Sequence, residues 1–297
     1  MKGKGVLLSG RQGSPPDAFL LAVIYGAAGL SVFLLLGMAG YVFSRGFRSL
    51  SLRFFMTVTS ELKGTTGIAG NLLNTLYITV LTLALAVPLG VGGAVYLNEY
   101  AGRGRLVRLV EFATEVLAGI PSVIFGLFGM VFFGNALGLG YSLLNGALTL
   151  ALMVLPLIVR NTQQALRAVP EGYRNGALGM GVPKWYMIRT ILLPAAGPGI
   201  RTGILLAVGR IVGESAALMF TAGSARLLPG WKGLLKKPLE PGGTLALELY
   251  LQMENGDYGA AFGIGCVLLV FALLLNFLLK LGQTGKTEGH LPENQPY

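Results

Sequence analysis

Six apolar runs alternate with polar connections, at roughly 18–43, 71–97, 110–133, 143–160, 198–221 and 258–279. Each approaches or exceeds the ~20 residues that an α-helix needs to cross a hydrocarbon core. The pattern predicts an all-α membrane protein with six transmembrane helices. The first run is too long and too late for a cleavable signal peptide, so it reads as a retained span. Pro88 falls inside the second run. Pro121, in Gly119-Ile120-Pro121-Ser122, predicts a kink in the third, where the freed carbonyl needs a neighbour or water. Gly126 and Gly129, with Ser122, permit close helix packing there. The boundaries give a polar N-terminal segment 1–17, a membrane domain 18–281 and a polar tail 282–297. Within the membrane domain, polar loops lie at about 161–194 and, on the opposite side, at about 223–257.

The loop before the fifth run has an organisation of its own. Val169 to Pro194 carries Glu171, Arg174, Lys184 and Arg189. Pro170 suits the first turn of a helix, where its missing N–H costs nothing. Gly181 suits a helix stop, and Pro183 prevents continuation. Two short helices are expected, about 170–180 and 183–193. On the first, Tyr173, Gly176, Ala177 and Met180 share one face by i, i+3, i+4, i+7 spacing. The small Gly176 and Ala177 let a partner surface approach closely. The same element, lying on the membrane surface, is the other reading.

Composition then fixes the class. Of 297 residues, 53% are hydrophobic and 12% charged, and the mean hydropathy is +0.66, which is the membrane class. The net charge of +10 does not indicate nucleic acid, because the cations lie in short loops between apolar runs and no basic patch is interleaved with aromatics. With six spans, Lys2, Lys4, Arg11, Arg103, Arg105, Arg108, Arg160, Arg167, Arg174, Lys184, Arg189, Arg201, Lys280 and Lys286 share one side. Arg45, Arg48, Arg53, Lys63, Arg226, Lys232, Lys236 and Lys237 lie opposite. The larger set places both termini and the 161–194 loop in the cytoplasm. Cys266 and His290 are the only residues of their kinds. That excludes a disulfide framework and a thiolate metal site, and leaves no hydrolytic or metal centre.

Two charges stand inside an apolar run. Counted from Pro198, Arg210 is about 18 Å into the fifth span, near the middle of the hydrocarbon. A charge there costs roughly 2.5–3.5 kcal/mol on insertion scales and normally faces the bundle interior. Glu214 is its i+4 neighbour. Either the two neutralise each other to fix packing, or Arg210 lines the path of an anion with Glu214 orienting it; a guanidinium matches two oxygens of an oxyanion at once. Arg160, at the end of the fourth run, snorkels to the interface or joins that path. Glu111 and Glu115 read as interface solvation or as a gate-lining pair.

The loop resembles a signature of ABC importer permeases: EAA, three residues, G, nine residues, I, one residue, LP. Asn175-Gly176-Ala177 stands at EAA, Gly181 at the glycine and Ile191-Leu192-Leu193-Pro194 at the end; Asn175 and Gly176 depart in identity. Further blocks are similar to the phosphate importer's PstA-type permeases: 74–101, GIPSVIFGLFG (119–129), 144–170, LLPAAGPGIRTGILLAVGRIVGESAALMFTAG (192–223) and TLALELYLQM (244–253). Residues 1–60 and 282–297 lie outside the resemblance. It implies a type I ABC importer permease fold, with a cytoplasmic coupling helix inserting in a cleft of an ATPase subunit. The implied ATPase-coupling residues are Glu171, Tyr173, Arg174, Asn175, Gly176, Ala177, Met180, Gly181 and Pro194. It raises Arg160 and Arg210 as arginines important for phosphate transport, while Gln163 stands where the pattern usually has an acid. Implied partners are a second permease of PstC type, two PstB-type ATPase subunits using ATP and Mg, and an extracytoplasmic PstS-type phosphate-binding protein, in a bacterial-type inner membrane. This chain has no GxxxxGK[ST] phosphate loop and is expected to hydrolyse nothing and bind no cofactor. Alternatives are an ABC permease for sulfate or molybdate, an ATP-independent secondary transporter or channel, and a membrane sensor.

Overall fold

The computed structural model describes residues 15–60, 65–102, 104–226 and 236–284. Residues 1–14 and 285–297, with Glu61, Lys63, Arg103 and Lys232, are outside the described residues, so most of the expected N-terminal segment and tail are too.

Among the described residues, five helices are long and apolar enough to cross a membrane, or six when one bent pair is counted as a span. α1 (Pro15–Gly46) leads through a 3-10 turn to α2 (Leu52–Met56) and a hairpin of β1 (Val58–Ser60) with β2 (Thr65–Ile68), antiparallel with Val58 opposite Ile68. The sequence pattern suggests only a polar loop here. Ser51 caps α2 through the Phe54 amide, and Thr59 bonds across to Gly67, so short polar residues build the structure. α3 (Ala69–Val95) follows, ending in a wide turn Tyr96–Tyr100.

The third span is broken, beyond the expected kink. α4 (Arg105–Gly119) and α5 (Ser122–Gly129, extended by a wide turn to Ala136) meet at 103° across Ile120-Pro121. Ile120 and Pro121 are extended, as a residue before proline favours, so no helical turn bridges them.

α6 (Leu143–Arg167) is the central pillar, with 67% of its apolar window buried. It runs past the expected end at Arg160. Leu150, Met153, Val154 and Ile158 pack there with Ile78 of α3 and with Ile211. α7 (Glu171–Gly179) is separate, but α8 (Lys184–Met187) is not the independent second helix that the sequence suggests. It passes through a wide turn at Ile188–Leu192 into α9 (Leu193–Val212), giving one continuous span Lys184–Val212. The wide turn has a cause in Pro194, which has no N–H to return to the preceding turn.

The fifth span therefore starts and stops earlier than 198–221. After Val212 the chain breaks and resumes as α10 (Ala216–Thr221). The segment after it contains α11 (Leu245–Glu254), capped by Thr244, and leads to α12 (Tyr258–Thr284). α1 has 0% of its apolar window buried; it touches α12 through Tyr41 on Phe262, with ring centroids 5.7 Å apart. Such a surface is stable only in lipid or against a partner.

Candidate translocation and coupling site

The two helix breaks come together. Gly126 of α5 lies so close to α10 that a Cβ there would stand 2.8 Å from the Ala217 Cα. The α9–α10 break has a local cause. The Glu214 carboxylate accepts the Ala217 amide at 3.1 Å and caps α10, competing with helix continuation. Glu214 is thus off the helix and does not form the i+4 pair with Arg210. Arg210 sits in the last turn of α9, at the carbonyl end of the helix dipole, and not in mid-helix. It is half-buried, and among the described residues it makes no hydrogen bond or ion pair.

Glycines set the register of α9 on α6. A Cβ on Gly203 would meet the Asn161 side chain at 2.5 Å, and one on Gly199 the Ala165 Cβ at 2.6 Å. Arg210 is seven residues beyond Gly203, within about 20° of the same face. In this antiparallel register Arg160 lies about 9 Å from Arg210 along the bundle, at 1.5 Å per residue. Arg160 is not at a span end. Its Nη2 donates to Glu115 Oε1 at 2.7 Å, and Arg167 Nη2 donates to Glu111 Oε1 at 2.8 Å. Glu111 and Glu115 therefore do more than solvate an interface: they pair α4 with α6. Their i, i+4 spacing opposite two arginines was the available signal.

At the loop end, Pro170 precedes α7, and Gly181 at φ +73° ends it, as the sequence suggests. Val182 N donates to Ala177 O at 3.1 Å, closing the turn. The expected common face is only partly realised. Tyr173, Gly176 and Met180 are exposed, as are Glu171, Asn175, Gly181 and Pro194. Ala177, 2% exposed, faces inward onto Val95, Leu166 and Met187. Arg174 also turns inward: it donates to Glu99 Oε1 at 3.1 Å, to Leu166 O at 2.8 Å and to Val169 O at 3.1 Å. Lys184 donates to the Glu99 carbonyl, and its ammonium lies 4.9 Å from the Tyr100 ring centroid. Arg174 is thus a brace joining α7 to the ends of α3 and α6, not a surface contact. Leu178, Trp185 and Tyr186 are exposed as well.

Arg174→Ala should take the only cation from the Glu99 carboxylate among the described residues, leaving it the Asn98 amide at 2.7 Å, at about 1–3 kcal/mol. The expected result is faster deuterium exchange across 171–179 with the membrane helices unchanged. Unaltered exchange would show that the brace carries no stability.

A second polar cluster ties the segment after α10 to α3. Glu248, 1% exposed, accepts from Arg226 Nε at 2.8 Å, Asn71 Nδ2 at 3.3 Å and Gln252 Nε2 at 2.7 Å. Asn74 Nδ2 donates to Gly243 O at 3.1 Å. Lys237 is buried too, with Nζ 3.7 Å from Glu240 Oε2. The sequence shows Arg226, Lys237, Glu240 and Glu248 only as parts of a polar loop. Among the described residues no group of His, Cys, Asp and Glu is arranged to hold a metal.

Known proteins are similar to this chain in sequence and in fold. The family model "Binding-protein-dependent transport system inner membrane component" matches residues 86–284. The chain is 36% identical over 258 residues to "Probable ABC transporter permease protein YqgI" of Bacillus subtilis (strain 168), covering 84% of this chain and 88% of that one. It is 35% identical over 237 residues to "Phosphate transport system permease protein PstA" of Xylella fastidiosa (strain Temecula1), covering 78% and 80%. Among solved structures, a permease of a bacterial alginate ABC transporter, in complex with an alginate pentasaccharide-bound periplasmic protein, gives a TM-score of 0.67 at 16% identity over 93% of this chain and 97% of that one. An inward-facing MetNI methionine ABC transporter gives 0.57 at 19% identity over 75% and 95%. At those identities the likeness is one of fold, and it is the type I importer permease fold. The transport subunits of this family are permeases and not enzymes, and they work with an ATPase, a substrate-binding protein and a second permease. The chain belongs to the family of binding-protein-dependent transport system inner membrane components, as an ABC importer permease similar along most of its length to the PstA type.

Proposed function

We propose that the chain is one of the two permeases of an ATP-driven inorganic phosphate importer. Its partners are then a PstC-type permease, two PstB-type ATPase subunits that bind ATP and Mg, and a PstS-type phosphate-binding protein outside an inner membrane. Both termini and α7 face the cytoplasm. The observation that carries an anionic cargo is Arg210, a guanidinium in the last turn of an apolar span that has no partner among the described residues. The names of the relatives supply the choice of phosphate. Arg210 and Arg160 line the path, and Glu214 shapes it by capping α10. Tyr173, Asn175, Gly176, Leu178, Met180, Trp185 and Tyr186 form the surface that meets the ATPase. Closure of the ATPase dimer moves α7, and the spans reorient to release phosphate inward.

The test is uptake of labelled phosphate into proteoliposomes holding this chain with those partners, with and without ATP on the ATPase side and against excess sulfate. ATP-dependent uptake that sulfate leaves unchanged is expected. Uptake without ATP would remove the coupling role of α7. Competition by sulfate would move the cargo to another oxyanion.

A further inference from the structure

The Arg160–Glu115 pair differs in kind from the buried ion pairs of this protein. The carboxylates of Glu248 and Glu99, held by Arg226 and Arg174, are 1% and 6% exposed. The side chains of Arg160 and Glu115 are 54% and 58% exposed. A single contact joins them, Nη2 to Oε1 at 2.7 Å, which leaves the rest of the guanidinium fork open to another oxygen. No acid on α6 neutralises Arg160 in its place. Gln163, three residues on, is buried and presents an Nε2 donor without a partner among the described residues.

Glu115 lies on a helix that packs little of its own surface within this chain. Of the described side chains of α4, Val107 alone is buried. The 103° bend at Ile120-Pro121 separates α4 from the packed α5. Two ion pairs, Glu111–Arg167 and Glu115–Arg160, supply the polar contacts that hold it to α6. A carboxylate on one arm of a guanidinium offers it the same chemistry as one edge of a tetrahedral oxyanion.

We propose that Glu115 is a displaceable counter-ion of Arg160. This rests on the reading of Arg160 as a path residue and names what holds it when cargo is absent. Glu115 occupies the guanidinium in the empty permease. An arriving oxyanion takes the open arms and then the contact at Nη2. Return of Glu115 expels the anion from Arg160, so the site releases cargo without needing a weak cation. Glu115 therefore sets the affinity of the inner half of the path.

The test measures equilibrium binding of labelled inorganic phosphate, and separately of labelled sulfate, to the permease–ATPase complex in nanodiscs. Leaving out the binding protein keeps its own affinity from masking the site. Glu115→Gln is expected to tighten phosphate binding about two- to fivefold, the range over which exposed ion pairs act. Arg160→Gln is expected to remove that gain. Glu111→Gln, which frees Arg167 instead, is expected to leave binding within twofold of wild type. If Glu111→Gln tightens binding as much as Glu115→Gln, the pairs merely latch α4 and the proposal is overturned. Unchanged or weaker phosphate and sulfate binding in Glu115→Gln overturns it as well, while leaving phosphate uptake by the wild-type complex intact as evidence for the transport reading. A gain for sulfate with none for phosphate keeps the counter-ion and removes phosphate as the cargo.

Discussion

Replacing Arg210 by Gln is expected to lower ATP-driven phosphate uptake by about a hundredfold or more, the scale seen when one preorganised donor is taken from a charged step. The expected loss is large because Arg210 shares its charge with no neighbour: Glu214 is committed to the Ala217 amide, and no other acid pairs with Arg210 among the described residues. Folding should survive, since Arg210 makes no hydrogen bond or ion pair among the described residues that the substitution would remove. Basal ATP hydrolysis should also persist, because α7 and its brace on Glu99 are untouched. Arg210→Lys keeps the charge without the planar fork and should fall between the two. Uptake by Arg210→Gln at the wild-type rate would remove Arg210 from the path.

The largest stability effect belongs to Glu248→Ala. It leaves the Arg226 guanidinium part-buried, at 19% side-chain exposure, without that carboxylate, and takes an acceptor from Asn71 and Gln252. Removing one member of such a buried pair costs about 3–5 kcal/mol. Thermal unfolding of the purified complex should move down by several degrees. The loss should appear first as faster deuterium exchange in α11 and the start of α3. An unchanged midpoint would mean that the cluster contributes no net stability.

These two sites show what a linear reading can and cannot reach. Arg210 was found from the sequence because a cation in an apolar run is conspicuous at any register. Its supposed partner was misjudged because i+4 spacing implies contact only while a helix continues, and the Glu214 side chain itself ends that continuity. Glu248 was passed over for the opposite reason: in a stretch rich in Lys and Glu, nothing local distinguishes an acid that Asn71, 177 positions away, will bury. The spans were legible because lipid demands uninterrupted apolar length. The coupling loop was legible in position, through Gly181 and Pro194, but not in which faces point outward. Ala177 and Arg174 turned inward because the ends of α3 and α6 stand behind them, and pairwise spacing within one helix carries no information about what stands behind it. Likewise, the chemistry of Glu115 and Glu111 depended on a bend at Pro121 whose size, 103°, composition does not specify.

The continuous span from Lys184 to Val212 has a mechanical meaning. Its base lies beside α7, where Lys184 is fastened to the Glu99 carbonyl, and its tip carries Arg210. At 1.5 Å per residue its 29 residues form a lever about 43 Å long, so a tilt of about 5° around the base displaces the tip by about 4 Å. A movement of the base reaches the guanidinium along one backbone path, through the wide turn at Ile188–Leu192 and not through a relay of side chains, and the gap after Val212 separates the tip from α10.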